Sequence, residues 1–259
     1  MWSATIAHWL ARLALVIAAA GTVGSAAAAP AQPTICITSI SGTVDALLVP
    51  SGATCIATDL VVLGDVTVES AASLRAESQF RVGGDVKVKS AGSLVITARI
   101  IEIDGSLIGN HAATFVISPE PLIGRAASIG GNVTVTSAET VSLVSLTIAG
   151  TVAVRHSGAE GLFVGFNEIG GDLIAVNNTV LGEEHLSLFA MNQNEVEGNV
   201  LVIANDATGA FEPPQLIGNI IEGNLICQSN TPELVNDHPS VGVLPNVVAG
   251  NKIGQCADL

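Results

Sequence analysis

Aliphatic residues alternate with other residues on both sides of a glycine, and this short pattern returns along most of the chain. One clear copy is Ile169-Gly170-Gly171-Asp172-Leu173. The central glycines recur at intervals of 19 to 27 residues and are Gly42, Gly64, Gly84, Gly105, Gly131, Gly150, Gly171, Gly198, Gly223 and Gly250. Period-two alternation around a fixed turn predicts short β-strands that each bury one face.

The apolar positions form two columns when the glycines are aligned. The column two residues before the glycine contains Ile40, Val62, Val82, Ile103, Ile129, Ile148, Ile169, Val196, Ile221 and Val248. The column two residues after it contains Val44, Val66, Val86, Leu107, Val133, Val152, Leu173, Val200 and Leu225, and it ends at Lys252. Such short repeats bury their apolar faces only against their neighbours, so they must stack.

The repeat predicts an all-β chain that folds as a right-handed parallel β-helix of about nine to ten coils. Two other solenoids have related repeats. Leucine-rich repeats need a long consensus of spaced leucines, which this chain lacks, and left-handed hexapeptide helices need strictly constant units. A parallel β-helix accepts turns of different length between constant strands, and it therefore fits the unequal intervals best.

Two polar columns also follow the repeat. Four residues before the last four glycines stand Asn167, Asn194, Asn219 and Asn246, which we interpret as a structural ladder of stacked amides. Earlier repeats carry apolar residues at this position, four before the glycine. The chain should therefore turn differently at this corner of the coil in its two halves. The residue after the glycine is often Asp or Asn, and we interpret this second column as turn residues rather than cation ligands.

The four cysteines predict two disulfides, each joining neighbouring coils. Cys36 and Cys55 are about one repeat apart, and so are Cys227 and Cys256. One repeat along the chain is one step up the stack, which brings each pair within bridging range. Both pairs lie near the ends of the stack, where a coil has only one neighbour.

The first residues have the features of an export signal. Arg12 supplies positive charge, residues 13–20 are apolar, and small residues at 26–29 offer a cleavage site. We therefore predict a signal peptide over 1–29 and a single β-helix domain over 30–259. The apolar stretch is too short to span a bilayer, and no later segment is long or uncharged enough.

The formal net charge of −14 constrains the partners of the chain. Nucleic-acid binding needs clustered Lys and Arg, so it is not expected here. Anionic membrane surfaces are disfavoured for the same reason. The expected protein is a secreted, monomeric chain with an acidic, solvated exterior.

The ends of the predicted domain resemble secreted, uncharacterised parallel β-helix proteins of high-GC, actinobacteria-like bacteria. The resemblance is carried by residues 223–227, 230–232 and 245–256 at one end, and by residues 49–55 at the other. It implies a right-handed parallel β-helix of bacterial origin and brings no established activity. The wider superfold includes pectin-degrading enzymes, but fold alone does not confer function.

No catalytic constellation stands out in the sequence. The arginines and lysines do not lie in acidic motifs of the kind that polysaccharide lyases and hydrolases use. His156 and His185 lack the spacing of metal ligands, so no metal site is predicted. The best candidate for ligand binding is an acidic edge formed by Glu160, Glu183, Glu184 and Glu212, with Ca²⁺ as a conceivable ion.

These observations favour a non-catalytic, secreted β-solenoid that acts as a structural or binding surface at or outside the cell envelope. Its partner would be a cell-wall or extracellular glycan or a protein. The competing hypothesis is a polysaccharide-binding module or a carbohydrate-active enzyme that uses the acidic edge. A third hypothesis is self-association through an end coil, against which Lys252 and the disulfides look protective.

Overall fold

A computed structural model describes residues 32–120, 127–182, 187–238 and 242–259, and within these ranges the chain is all-β. No helix occurs in the described part. The chain from Ala31 to Leu259 forms one compact unit. Two parallel sheets of 11 and 16 strands, here named sheet 1 and sheet 2, make up almost all of it. The predicted parallel β-helix is confirmed, whereas its handedness and the signal peptide stay predictions.

The strands are short and follow one another closely along the chain. They are β1 Thr34–Ile35, β2 Ser39–Val44, β3 Leu47–Val49, β4 Thr54–Val62, β5 Val66–Val68, β6 Ser73–Val82, β7 Val86–Val88, β8 Ser93–Ile96, β9 Ile100–Ile103, β10 Leu107–Asn110, β11 Thr114–Ile117, β12 Ala127–Ile129, β13 Val133–Thr136, β14 Thr140–Val144, β15 Thr147–Ile148, β16 Val152–Arg155, β17 Gly161–Gly165, β18 Glu168–Ile169, β19 Leu173–Val176, β20 Phe189–Asn192, β21 Glu195–Val196, β22 Val200–Ile203, β23 Gln215–Ile217, β24 Ile220–Ile221, β25 Leu225–Gln228, β26 Asp237–His238, β27 Gly242–Val243, β28 Val247–Val248 and β29 Lys252–Gly254. Only β26 and β27 pair antiparallel among the described strands.

Each later coil contributes one strand to sheet 1 and two strands to sheet 2. Thus β13 lies in sheet 1, β14 and β15 lie in sheet 2, and β16 begins the next coil. In the first coils the corner within sheet 2 is absent, because β4 and β6 run through it unbroken and β6 pairs with both β8 and β9. This confirms that the two halves turn the corner differently.

The glycines stack directly above one another. From Gly84 to Gly250, each glycine N–H donates to the carbonyl of the glycine one coil before it, at 2.9–3.2 Å. A Cβ on Gly84 would lie 2.8 Å from the carbonyl carbon of Gly64 and would also meet the carboxylate of Asp65. The close approach of successive turns therefore requires glycine. Both aliphatic columns are in direct register on either side of this turn, as Ile148 with Ile169 and Val152 with Leu173 show.

The first predicted repeat is wrong by three residues. Gly64 donates to the carbonyl of Asp45, not to Gly42. Val44 pairs with Val62 and Leu47 with Val66, so Val44 belongs to the column assigned to Ile40. Gly42 instead lies inside β2 with φ of 85°, where the register with β4 shifts. A bulge in an edge strand thus produced a chance copy of the pattern.

The interior is one continuous apolar core of mostly Val, Ile, Leu and Ala. Phe80, Phe115 and Phe189 are its largest fully buried side chains. Both predicted disulfides are present at the ends of this core, with Cα–Cα distances of 5.7 Å for Cys36–Cys55 and 5.2 Å for Cys227–Cys256. At the carboxyl end Leu259 packs against the core and its carbonyl accepts a bond from Lys252 Nζ.

Candidate binding surface

The predicted asparagine ladder is confirmed at the corner before β18, β21, β24 and β28. Asn167 Nδ2 donates to Asn194 Oδ1 at 2.9 Å, and Asn194 Nδ2 donates to Asn219 Oδ1 at 3.0 Å. Asn219 Nδ2 in turn donates to Asn246 Oδ1 at 2.9 Å. All four side chains are buried. Their polar groups serve the stack, so they are not available to a ligand.

A second ladder, which the sequence analysis missed, runs along the end of sheet 1. Asn178 Nδ2 donates to Asn205 Oδ1 at 2.9 Å, and Asn205 Nδ2 donates to Asn230 Oδ1 at 2.8 Å. Asn230 Nδ2 ends the ladder on Gln255 Oε1 at 3.0 Å. These asparagines stand seven residues after their glycines, with Ser157 at the same offset. That constant offset was the signal that could have revealed the ladder.

The Asp and Asn residues after the glycines form a third ladder, between side chains and backbone. Asp65 Oδ1 accepts the N–H of Asp85 at 2.9 Å, and Asp85 Oδ1 accepts the N–H of Ser106 at 2.9 Å. The pattern continues through Asn132, Thr151, Asp172, Asn199, Asn224 and Asn251. These side chains satisfy the turn of the next coil, which supports the structural interpretation.

The ion pairs within the described ranges all lie in the amino-terminal half. Lys87 Nζ contacts Asp65 at 3.0 Å and Asp85 at 3.1 Å, and Lys89 contacts Glu69 at 2.8 Å. The Ser106 N–H and the Lys87 ammonium hold the pKa of Asp85 below its ordinary value. The two carboxylates raise the pKa of Lys87. Exposed pairs of this kind contribute little to stability and chiefly orient side chains.

The predicted acidic edge is only partly described. Glu160 is exposed and accepts a hydrogen bond from Thr140 Oγ1 at 3.1 Å. Glu212 accepts one from Gln215 Nε2 at 2.8 Å. The two glutamates line different cavities, and Glu183 and Glu184 lie outside the described residues. A shared edge of these four residues therefore stays a prediction.

Glu160 lines a groove of about 600 Å³ on the outer side of sheet 2. We name this the Phe163 groove, because Phe163 on β17 is the one aromatic residue among its described lining residues. The other lining residues are Thr140, Val141, Ser142, Glu160, Gly161, Leu162, Gly182, Ser187 and Leu188. An aromatic ring beside a carboxylate and hydroxyl groups on a rigid sheet is the combination expected of a small-molecule subsite.

A second groove of about 430 Å³ follows the short strands of sheet 2. It is lined by four exposed glutamates, Glu168, Glu195, Glu197 and Glu222, none of which belongs to the predicted acidic edge. Glu168 and Glu195 face each other across neighbouring parallel strands. No group of three or more His, Cys, Asp or Glu in the described part of the chain is arranged to hold a metal ion. The Ca²⁺ considered for the acidic edge stays a hypothesis.

No helix among the described residues is long and apolar enough to cross a membrane. Every buried side-chain nitrogen and oxygen atom in the described ranges has a hydrogen-bond partner. Comparisons with protein-family models, curated proteins and solved structures find no match for this chain. Its function is therefore inferred from the grooves and the frame that carries them.

Proposed function

We propose that the protein is an exported, non-catalytic β-solenoid that presents a rigid binding surface at or outside a bacterial cell envelope. The observation that carries the proposal is the frame itself: three hydrogen-bonded ladders along the stack and a disulfide at each end. Disulfides persist in oxidising compartments and are rare in the cytosol. A frame of this kind holds its outer faces in fixed positions without needing a bound ligand.

Fractionation of cells that express the full chain tests the export part of the proposal. We expect the protein in the envelope or culture fluid, with an amino terminus near residue 30 and both disulfides oxidised. The same chain with residues 1–29 deleted is the control and should stay in the cytosol. Full-length protein that stays inside the cell with reduced cysteines would contradict the proposal.

A second candidate function, glycan binding or glycan cleavage, is favoured by the Phe163 groove. Glu160 lies there beside an aromatic ring, as a sugar-binding subsite would need. Binding and cleavage are distinguished by incubating the exported chain with neutral and uronate-containing polysaccharides, with and without calcium. We expect binding to part of the panel and no new reducing or unsaturated ends. Release of such ends would replace the non-catalytic proposal with an enzymatic one.

A further inference from the structure

The ring of Phe163 lies on the outer face of sheet 2 and lines the groove. Its tip lies over Gly165, where an added Cβ would meet the ring at 2.6–3.2 Å. The residues in register on the neighbouring strands are small, Ser142 on one side and Ala190 on the other. Phe163 therefore has no large side chain directly in register with it on either neighbouring strand.

The polar wall of the groove carries negative charge. Thr140 Oγ1 donates to Glu160 Oε2 at 3.1 Å, which leaves Oε1 for a ligand. The backbone N–H of Glu160 donates to the carbonyl of Glu139 on the coil before it, at 2.9 Å, so a second exposed glutamate stands close by. None of the described lining residues is Lys or Arg. Among its described lining residues, the groove thus offers hydrogen-bond acceptors and no counter-ion for an anion.

A pyranose ring has an apolar C–H face and a rim of hydroxyl groups, which are hydrogen-bond donors. The apolar face suits an aromatic ring, since aromatic side chains bury large apolar areas with defined geometry. The hydroxyl groups of a sugar, and the ammonium group of an amino sugar, are donors that suit a carboxylate acceptor. A uronic acid would instead place its own carboxylate near that of Glu160, and like charges in contact repel each other.

We propose that the Phe163 groove binds a neutral or amino-sugar unit of an extracellular glycan and rejects uronic acids. This inference rests on the glycan-binding candidate function above and specifies its ligand class. Phe163 supplies the stacking surface, and Glu160 supplies the acceptor and the rejection of anionic sugars. The volume of the groove, about 600 Å³, is large enough for a few sugar units.

Binding of the exported, disulfide-bonded chain to immobilised cellohexaose, chitosan hexamer and oligogalacturonate tests the inference. We expect the first two to bind and oligogalacturonate to bind at least about tenfold more weakly. Phe163→Ala should weaken cellohexaose binding about tenfold, the usual loss for a truncated aromatic anchor. Phe163→Leu, which keeps the apolar volume over Gly165, should bind weakly as well while melting near the wild-type temperature. Phe166→Ala is the matched control, because Phe166 is half exposed and lies outside the groove.

Glu160→Gln removes the negative charge of this side chain and nearly keeps its shape, so it tests the effect of the charge alone. It should improve oligogalacturonate binding about fivefold at low salt and change cellohexaose binding by less than about threefold. Glu168→Gln, in the other groove, should change neither. Wild-type preference for oligogalacturonate, or equal losses in Phe163→Ala and Phe166→Ala, would overturn the inference while leaving glycan binding intact. Failure of all three glycans to bind would overturn both the inference and the glycan-binding candidate, but not the export proposal.

Discussion

Replacing Asn194 with Ala tests whether the stacked amides hold the coils together. Asn194 is fully buried and makes four side-chain hydrogen bonds. Its Oδ1 accepts from Asn167 Nδ2 at 2.9 Å and from the Asn167 N–H at 3.2 Å. Its Nδ2 donates to Val164 O at 2.9 Å and to Asn219 Oδ1 at 3.0 Å. The substitution removes all four bonds and leaves the backbone of the neighbouring coil in place.

The expected loss follows from which partners are left unsatisfied. Asn167 Nδ2 keeps its bond to Leu143 O, and Asn219 Oδ1 keeps the N–H of residue 194. The Asn167 N–H loses its acceptor, and an unsatisfied buried donor costs about 1–3 kcal/mol. With the three other lost bonds at roughly 0.5–1.5 kcal/mol each, the losses sum to about 2.5–7.5 kcal/mol. Because Asn167 Nδ2 and Asn219 Oδ1 each keep one partner, we expect the free energy of unfolding to fall by about 3 kcal/mol, near the lower end. For a domain of this size, that corresponds to a Tm lower by roughly 6–12 °C.

Calorimetry measures the Tm, and amide hydrogen exchange locates the effect. We expect the Asn167 amide to exchange much faster in the variant, because its only acceptor is gone. Asn110→Ala is the control, since Asn110 is an exposed residue whose side chain is hydrogen-bonded to the neighbouring His111. It should shift the free energy of unfolding by less than about 0.5 kcal/mol. A wild-type Tm with unchanged Asn167 exchange in Asn194→Ala would refute the ladder's role in stability.

Three further predictions concern the frame. Non-reducing peptide mapping should find Cys36 joined to Cys55 and Cys227 joined to Cys256, and any crossed linkage would contradict stacking by one coil. Gly84→Ala should lower the free energy of unfolding by at least about 2 kcal/mol, because its Cβ would meet the turn of the coil before it; a neutral effect in chemical denaturation would contradict the glycine column. Because the pKa of Asp85 is lowered in the folded protein, its contribution to stability is present above the ordinary value of 3.8 and is lost as pH falls through the folded pKa. Asp85→Asn should therefore lose less stability than the wild type between about pH 4 and pH 2. The same fall in stability with pH in both proteins would contradict the shift.

The sequence predicted the columns nearest the glycine correctly because chain length is constant there. The residue two before the glycine and the residue two after it are in register in every coil from Gly64 onwards. The first asparagine ladder lies only four residues before the glycine. The prediction for the first coil was wrong because the bulge at Gly42 has the same local sequence pattern but does not lie at the turn where the other glycines stack. A local motif alone could not distinguish the two.

The acidic edge shows a different difficulty. Its members were grouped by their distance from the preceding glycine, but the strands β14, β17, β20 and β23 of sheet 2 keep register with the glycine that follows them. Ser142, Phe163, Ala190 and Gln215 are all in register and all lie eight residues before that glycine. Glu160 and Glu212 lie the same number of residues before the glycine that follows them, whereas Glu183 and Glu184 lie at other distances from theirs. In the longer coils that begin at Gly171 and Gly198, the extra residues lie between the second ladder and sheet 2, whereas in the coil that begins at Gly105 they lie between β11 and β12.

The sequence by itself determined that the chain stacks as a parallel β-solenoid, which cysteines pair, and which asparagines form the first ladder. These features depend on residues one repeat apart, and stacking makes such residues vertical neighbours. Only the tertiary structure decided where each coil takes up its extra residues, and hence which outward side chains share a surface. The Phe163 groove became visible only there, because its walls come from three coils of unequal length whose turns no local pattern aligns.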